Sequence, residues 1–219
     1  MKVVILAGGF GTRISEESHL KPKPMVEIGG KPVLWHIMNI YAGHGVNEFI
    51  IAAGYKAEVI KEYFLNFYAI NNDISIDLES GKTIIHDGKQ PNWKIHIVDT
   101  GLYTQTGGRI KRVQKWLADS DTFMVTYGDG LCDVNIKALR EFHKSHGKLV
   151  TVTTVLPPTR FGRISFNDCQ ICKFEEKPKS DDDGWINGGF FVVMPLRAIA
   201  LAKVAFRPLD GDITPRQFG

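Results

Sequence analysis

Cysteine is scarce in this chain. Three occur in 219 residues, Cys132, Cys169 and Cys172, and so small and odd a number in a mid-sized chain builds no disulfide framework. Charge of one sign is lacking as well. Lysine and arginine number 27 against 24 acidic residues, a formal net charge of +3, with no long basic run of the kind that coats nucleic acid or anionic lipid. Nucleic-acid and membrane partners are therefore not expected. Long hydrophobic runs are missing too: the apolar stretch after Met1 is ended by Gly8 and Gly9, short of a signal-peptide core or a membrane span. A cytoplasmic protein with reduced thiols is the expectation. The pair Cys169 and Cys172 has zinc-knuckle spacing but no second pair, so a strand or turn is the better reading and no zinc site is expected. The seven histidines are scattered, and His36 fits a packing or capping role inside a helix.

What is present is enough apolar residue, 43%, to bury the core of one domain over 1–219. Strand-like runs alternate with amphipathic helical patterns, the mark of parallel strands joined by crossover helices. Val3 to Leu6, Phe49 to Ala53 and Thr122 to Tyr127 read as buried strands, the last of them central. Leu34, Ile37, Met38 and Tyr41 fall at i, i+3, i+4 and i+7 within a helix from Pro32 to Tyr41. A second helix is predicted from Ala57 to Phe67 with Val59, Ile60, Tyr63, Phe64 and Phe67 on its buried side, and a third around Ile136, Leu139 and Phe142. Leu149 to Val155, Gly162 to Phe166, Ile171 to Glu175 and Gly189 to Met194 are short strands with few helices between them. The fold class is α/β, shifting to a mixed sheet. Asp181-Asp182-Asp183-Gly184 reads as an exposed turn.

Two short motifs suggest chemistry. The first strand opens into Ala7-Gly8-Gly9-Phe10-Gly11-Thr12-Arg13, where glycines let backbone amides approach phosphate oxygens and Arg13 adds charge. No Gly-Lys-Ser/Thr follows, and Ile14 stands where a dinucleotide fingerprint needs its third glycine. A plain glycine-rich turn remains open at this point. In Lys21-Pro22-Lys23-Pro24-Met25 the prolines hold the backbone extended, so Lys23 is a positioned cation for a triphosphate or a transferring phosphoryl group. A solvated basic turn is its alternative.

The two motifs together resemble the sugar-nucleotide pyrophosphorylases. Gly29 to Met38, Asp99-Thr100-Gly101, Thr106-Gly107-Gly108-Arg109, Tyr127-Gly128-Asp129-Gly130, Arg160-Phe161-Gly162 and Asn187 to Phe191 extend the likeness from Met1 to about Pro195. The resemblance implies a Rossmann-like mixed, mostly parallel sheet flanked by helices, and transfer of a cytidylyl group from CTP to α-D-glucose 1-phosphate. The products would be CDP-glucose and pyrophosphate. Leu6, Ala7, Gly8, Gly9, Phe10, Gly11, Thr12 and Arg13 would cradle the triphosphate and part of the nucleoside, with Lys23 on phosphate and Thr104, Arg109 and Gly128 beside the nucleotide. Asp129 would hold Mg²⁺, which gives Arg13, Lys23 and Asp129 the catalytic roles. Glu176, Lys177, Asn187 and Gly188 resemble the sugar-phosphate contacts. Homo-oligomerisation is implied as well.

Past Pro195 the likeness stops: Leu196 to Phe206 is alanine-rich and apolar, and Arg207 to Gly219 is a short polar end. The expected second metal aspartate is not matched, because Asp210 and Asp212 lie in a different context. The end thus reads as truncated or frameshifted. Two alternatives stand beside the cytidylyltransferase: a non-catalytic nucleotide-binding remnant, and the same reaction with UTP or dTTP.

Overall fold

The computed structural model describes residues 1–10, 21–86, 88, 90–156, 163–167, 170–175 and 185–194. Gly11, Thr12, Arg13, Cys169, Glu176, Lys177, the turn 181–184 and the atypical end 196–219 lie outside them.

The chain begins with strand β1 (Lys2–Ala7), a 3-10 turn (Lys23–Met25) and two short strands, β2 (Glu27–Ile28) and β3 (Lys31–Pro32). Helix α1 (Val33–Gly43), strand β4 (Glu48–Ala53), helices α2 (Ala57–Leu65) and α3 (Phe67–Asn71), and an exposed ribbon of β5 (Ile74–Asp77) and β6 (Lys82–Ile85) follow. Next come β7 (Lys94–Asp99), α4 (Thr106–Arg112), β8 (Phe123–Tyr127), α5 (Ile136–His146), β9 (Val150–Val155), the antiparallel pair β10 (Arg163–Asn167) and β11 (Gln170–Glu175), and β12 (Ile186–Val193). Six strands form the main sheet in the order β7-β4-β1-β8-β12-β9. Pairings among β7, β4, β1 and β8 are parallel, while β12 runs antiparallel to β8 and β9. This is the mixed, mostly parallel sheet that the sequence predicts.

Alternate strand residues feed two cores. Val3, Ile5, Phe49, Ile51, Met124, Phe190 and Val192 pack with Leu34, Ile37, Met38, Tyr41, Ile60 and Ile136 of the helices on one face. Val4, Ile50, Ala52, Phe123, Val125, Phe191 and Val193 pack with Ile110, Val113 and Leu117 on the other. Helices thus cover both faces, as continuous apolar strands require. The predicted stripe of α1 is fully buried. The helix predicted from Ala57 to Phe67 is instead two helices broken at Asn66, with Ile60 buried but Val59, Tyr63, Phe64 and Phe67 only half-buried. The break sets the Phe67 ring in a stack on Phe64, centroids 6.3 Å apart. His36 does not cap its helix; its Nε2 lies 2.9 Å from the carbonyl oxygen of Ile28 in β2 and ties the helix to that strand.

Helix α5 starts at Asn135, whose side chain accepts from the Ala138 N–H at 3.0 Å, and stops at Gly147 in the left-handed region, φ 62°. Its last turn meets β9 through a hydroxyl relay. The Lys148 N–H donates to His146 Nδ1 (2.9 Å), which places the His146 proton on Nε2, and that nitrogen lies 2.8 Å from Thr151 Oγ1. The Thr151 hydroxyl is then free to donate to Nδ1 of buried His143 at 2.7 Å. Burial, and then His146, hold the His143 imidazole below its ordinary value. A depressed histidine favours folding while neutral, so its stabilisation is complete above the unfolded value of about 6.5 and is lost as pH falls through the lower folded value. The urea midpoint of the chain is expected to drop between pH 7.5 and pH 5.5, and less steeply in His143→Asn. Equal slopes for the two proteins would contradict the relay.

Candidate active site

The parallel strands deliver Ala7, Ala53, Asp99 and Tyr127 to one edge of the sheet. From β1 the chain moves outward through β4 to β7 and then returns to the other side of β1 as β8. The switch point therefore lies beyond the ends of β1 and β8, where open α/β sheets take their ligands. A cleft of about 320 Å³ opens there, lined by Leu6, Ala7, Gly8, Gly9, Lys23, Pro24, Thr104, Gln105, Thr106, Arg109, Tyr127, Gly128 and Asp129.

The cleft is shaped by close backbone approach. The Gly128 N–H donates to the Leu6 carbonyl at 2.9 Å, and a Cβ on Gly128 would stand 3.0 Å from that oxygen and from Pro24. On Gly8 a Cβ would fall 2.0 Å from Arg109 Nη1. Both positions exclude any side chain unless their neighbours give way.

Lys23 does not sit in extended backbone as its flanking prolines suggest. Pro22 is extended, but Lys23 opens the 3-10 turn, closed by the Met25 N–H to Pro22 (2.8 Å) and the Val26 N–H to Lys23 (3.1 Å). Burial of Pro24 and Met25 anchors that turn. Lys21 pairs with Glu27 on the surface at 2.7 Å, while Lys23 enters the cleft and its Nζ lies 3.8 Å from Asp129 Oδ2. The Asp129 side chain is 49% exposed, so this pair contributes little to stability and its oxygens stay open to the cleft. Among the described residues no group of three or more His, Cys, Asp or Glu could hold a metal. One exposed carboxylate of hard oxygens still suits Mg²⁺, which takes one or two carboxylates and completes its shell with substrate phosphates and water.

Arg109 forms the wall. It is 5% exposed, and its Nη1 donates to the Ala53 carbonyl (3.1 Å), Thr100 Oγ1 (2.6 Å) and the Gly101 carbonyl (3.0 Å). Its Nη2 donates to the carbonyls of Gly8 (2.7 Å) and Leu102 (3.2 Å). One guanidinium thus ties the segments that follow β1 and β7 to the end of β4. Burial, and then Arg112, lower its proton affinity, yet guanidinium stays charged in proteins, so the cleft has a fixed positive wall.

Of the residues singled out in the sequence, Leu6, Ala7, Gly8, Gly9, Lys23, Thr104, Arg109, Gly128 and Asp129 meet in this cleft. Phe10, next to Gly9, is exposed and outside the lining. Asn187 is exposed and joins through Tyr127, its Nδ2 donating to the phenolic oxygen at 3.3 Å. Gly188 is outside the lining and packs toward β9, with Thr153 O and Val155 the atoms a Cβ would meet. Gln105, Thr106, Pro24 and Tyr127 line the cleft without having been assigned a part. Their signal was adjacency to the residues that were.

A family model for nucleotidyl transferases matches residues 2–210, and the chain belongs to that family. Glucose-1-phosphate cytidylyltransferase of Salmonella typhimurium is 51% identical over 195 residues, covering 89% of this chain and 76% of that relative. Among solved structures, HddC from Yersinia pseudotuberculosis complexed with GMP-PN is 28% identical with a TM-score of 0.57, covering 89% of this chain and 76% of its own. A UDP-glucose pyrophosphorylase complexed with UDP-glucose shares the fold at 18% identity, with a TM-score of 0.57 over 89% of this chain and 76% of its own.

Proposed function

We propose that the chain transfers a cytidylyl group from CTP to α-D-glucose 1-phosphate, releasing pyrophosphate. The observation that carries this is the cleft itself, where a glycine loop, Lys23 and Asp129 converge at the switch point beside a buried Arg109. The 51% identity to a glucose-1-phosphate cytidylyltransferase supports CTP and glucose 1-phosphate as the pair.

A phosphate oxygen of the sugar phosphate attacks the α-phosphorus in line. The new P–O bond forms as the bond to the bridging α–β oxygen breaks, and pyrophosphate leaves with the electron pair. Nucleophile and leaving group are both anionic, so no general base is needed; catalysis consists of alignment and charge stabilisation. Lys23 supplies a compact cation beside the phosphates, and Gly8 and Gly9 bring backbone close to them. Arg109 positions, by fixing the Gly8 carbonyl on which the loop turns. Asp129 is the residue that would hold Mg²⁺, an ion that neutralises phosphate charge when bound. Arg13 from the same loop, and Glu176, Lys177, Asn187 and Gly188 on the sugar phosphate, complete the assignment.

Self-association into a homo-oligomer with a second copy belongs to the same proposal. Leu65, Tyr68, Ile70, Ile74, Ile76, Leu78, Ile84 and Ile85 are all exposed along one stretch of chain. Light scattering that returned the mass of a single chain at micromolar concentration would remove this part. The activity is tested by mass-spectrometric detection of CDP-glucose from CTP, glucose 1-phosphate and Mg²⁺, with Lys23→Ala as control. Product from the parent and none from the variant is expected; equal product from both would contradict the role of Lys23.

A further inference from the structure

The loop between β7 and α4 is fastened far more firmly than a surface connection requires. Arg112 Nη1 donates to the Thr100 carbonyl and, at 2.7 Å, to Thr104 Oγ1. Arg109 holds the carbonyls of Gly101 and Leu102. Gly101 takes φ 84°, a left-handed turn that a side chain would disfavour. Within this pinned backbone Tyr103 is 82% exposed and adds nothing to either core. Its ring lies 5.7 Å from that of Phe10, itself 41% exposed, and Tyr55 flanks Phe10 on another side at 5.4 Å. Phe10 follows Gly9, and Tyr103 precedes Thr104, both cleft residues. Three aromatic rings, each just past a different parallel strand, are thus attached to backbone that adjoins the cleft lining, Phe10 and Tyr103 by sequence and Tyr55 through its N–H to the Gly8 carbonyl at 3.2 Å.

We infer that Tyr103, backed by Phe10, is a stacking platform for the nucleobase of the bound nucleotide. A planar aromatic ligand is the class that fits: a fixed exposed ring offers a π-face at little ordering cost, and base–aromatic stacking tolerates any base. Tyr103 is then a positioning residue. It strengthens nucleotide binding without choosing cytosine, and base choice falls to polar groups of the cleft such as Gln105. The inference rests on the nucleotide-transfer reading above.

Calorimetric titration of the full chain, and of Tyr103→Ala and Tyr103→Trp, with CTP and with inorganic tripolyphosphate separates the two. Tyr103→Ala is expected to weaken CTP about tenfold, with UTP weakened alike, while tripolyphosphate affinity stays within about twofold and Tyr103→Trp binds CTP as the parent does. CTP affinity unchanged in Tyr103→Ala, or CTP and tripolyphosphate weakened equally, would overturn the platform and leave the phosphate cleft standing. A parent chain that bound neither ligand would overturn the nucleotide reading and the platform with it.

Discussion

Replacing Asp129 by asparagine is expected to cut pyrophosphate release about 10²–10³-fold, the range seen when one preorganised charge-stabilising group is lost, while thermal unfolding barely moves. The two effects separate because of where the carboxylate sits. It is half exposed and 3.8 Å from Lys23, a pair whose loss costs at most about 1 kcal/mol. In catalysis it is the one acidic side chain in the cleft lining among the described residues. The variant should also need more Mg²⁺ for half-maximal rate, because a hard oxygen ligand has been weakened. Residual activity above a tenth of the parent's, with unchanged Mg²⁺ dependence, would rule out Asp129 as the metal-holding residue.

Arg109→Met is expected to behave oppositely, losing stability as well as rate. Methionine matches the stem but removes the guanidinium bonds to Gly8, Ala53, Gly101 and Leu102, although backbone N–H groups of Tyr55, Thr100 and Thr104 still donate to the first three. A hydrogen bond to a charged group contributes about 1.5–3 kcal/mol, and the loss of several is partly offset by the backbone donors that remain and by water. A total near 3 kcal/mol in urea unfolding is the expected result. Arg109→Lys should recover only part of this, since one ammonium cannot fan out to five oxygens as a planar fork does. A loss below about 1 kcal/mol in the methionine variant would show that water replaces the guanidinium freely.

Much of the fold was legible because periodicity was strong. Leu34, Ile37, Met38 and Tyr41 marked α1, and the apolar runs at Val3, Phe49 and Phe123 marked three neighbouring strands. Strand β7 was not recognised, although Lys94 to Asp99 alternates in part, since an edge strand shows a weaker apolar run than a central one. Helix α4 was hidden by Gly107 and Gly108, poor helix formers. The ribbon β5–β6 has no buried residue at all, so it left no burial pattern to read.

At the site, Gly8, Gly9, Lys23 and Asp129 could be picked out because phosphate chemistry demands those residue types near strand ends. The architecture of Arg109 could not. Its bond to the Gly8 carbonyl spans 101 positions of sequence, and nothing local distinguishes an arginine that reaches a ligand from one that ties two loops to a strand end. Tyr103 was equally silent, because its position depends on the backbone bonds made by Arg109 and Arg112 around it.

The most direct measurement is pyrophosphate release by the purified chain with Mg²⁺ and glucose 1-phosphate, run in parallel with CTP, UTP and dTTP. Release with CTP alone, abolished when glucose 1-phosphate is omitted, is the predicted result. A folded chain silent with all three nucleotides would contradict cytidylyl transfer and leave a cleft that binds nucleotide without turning it over.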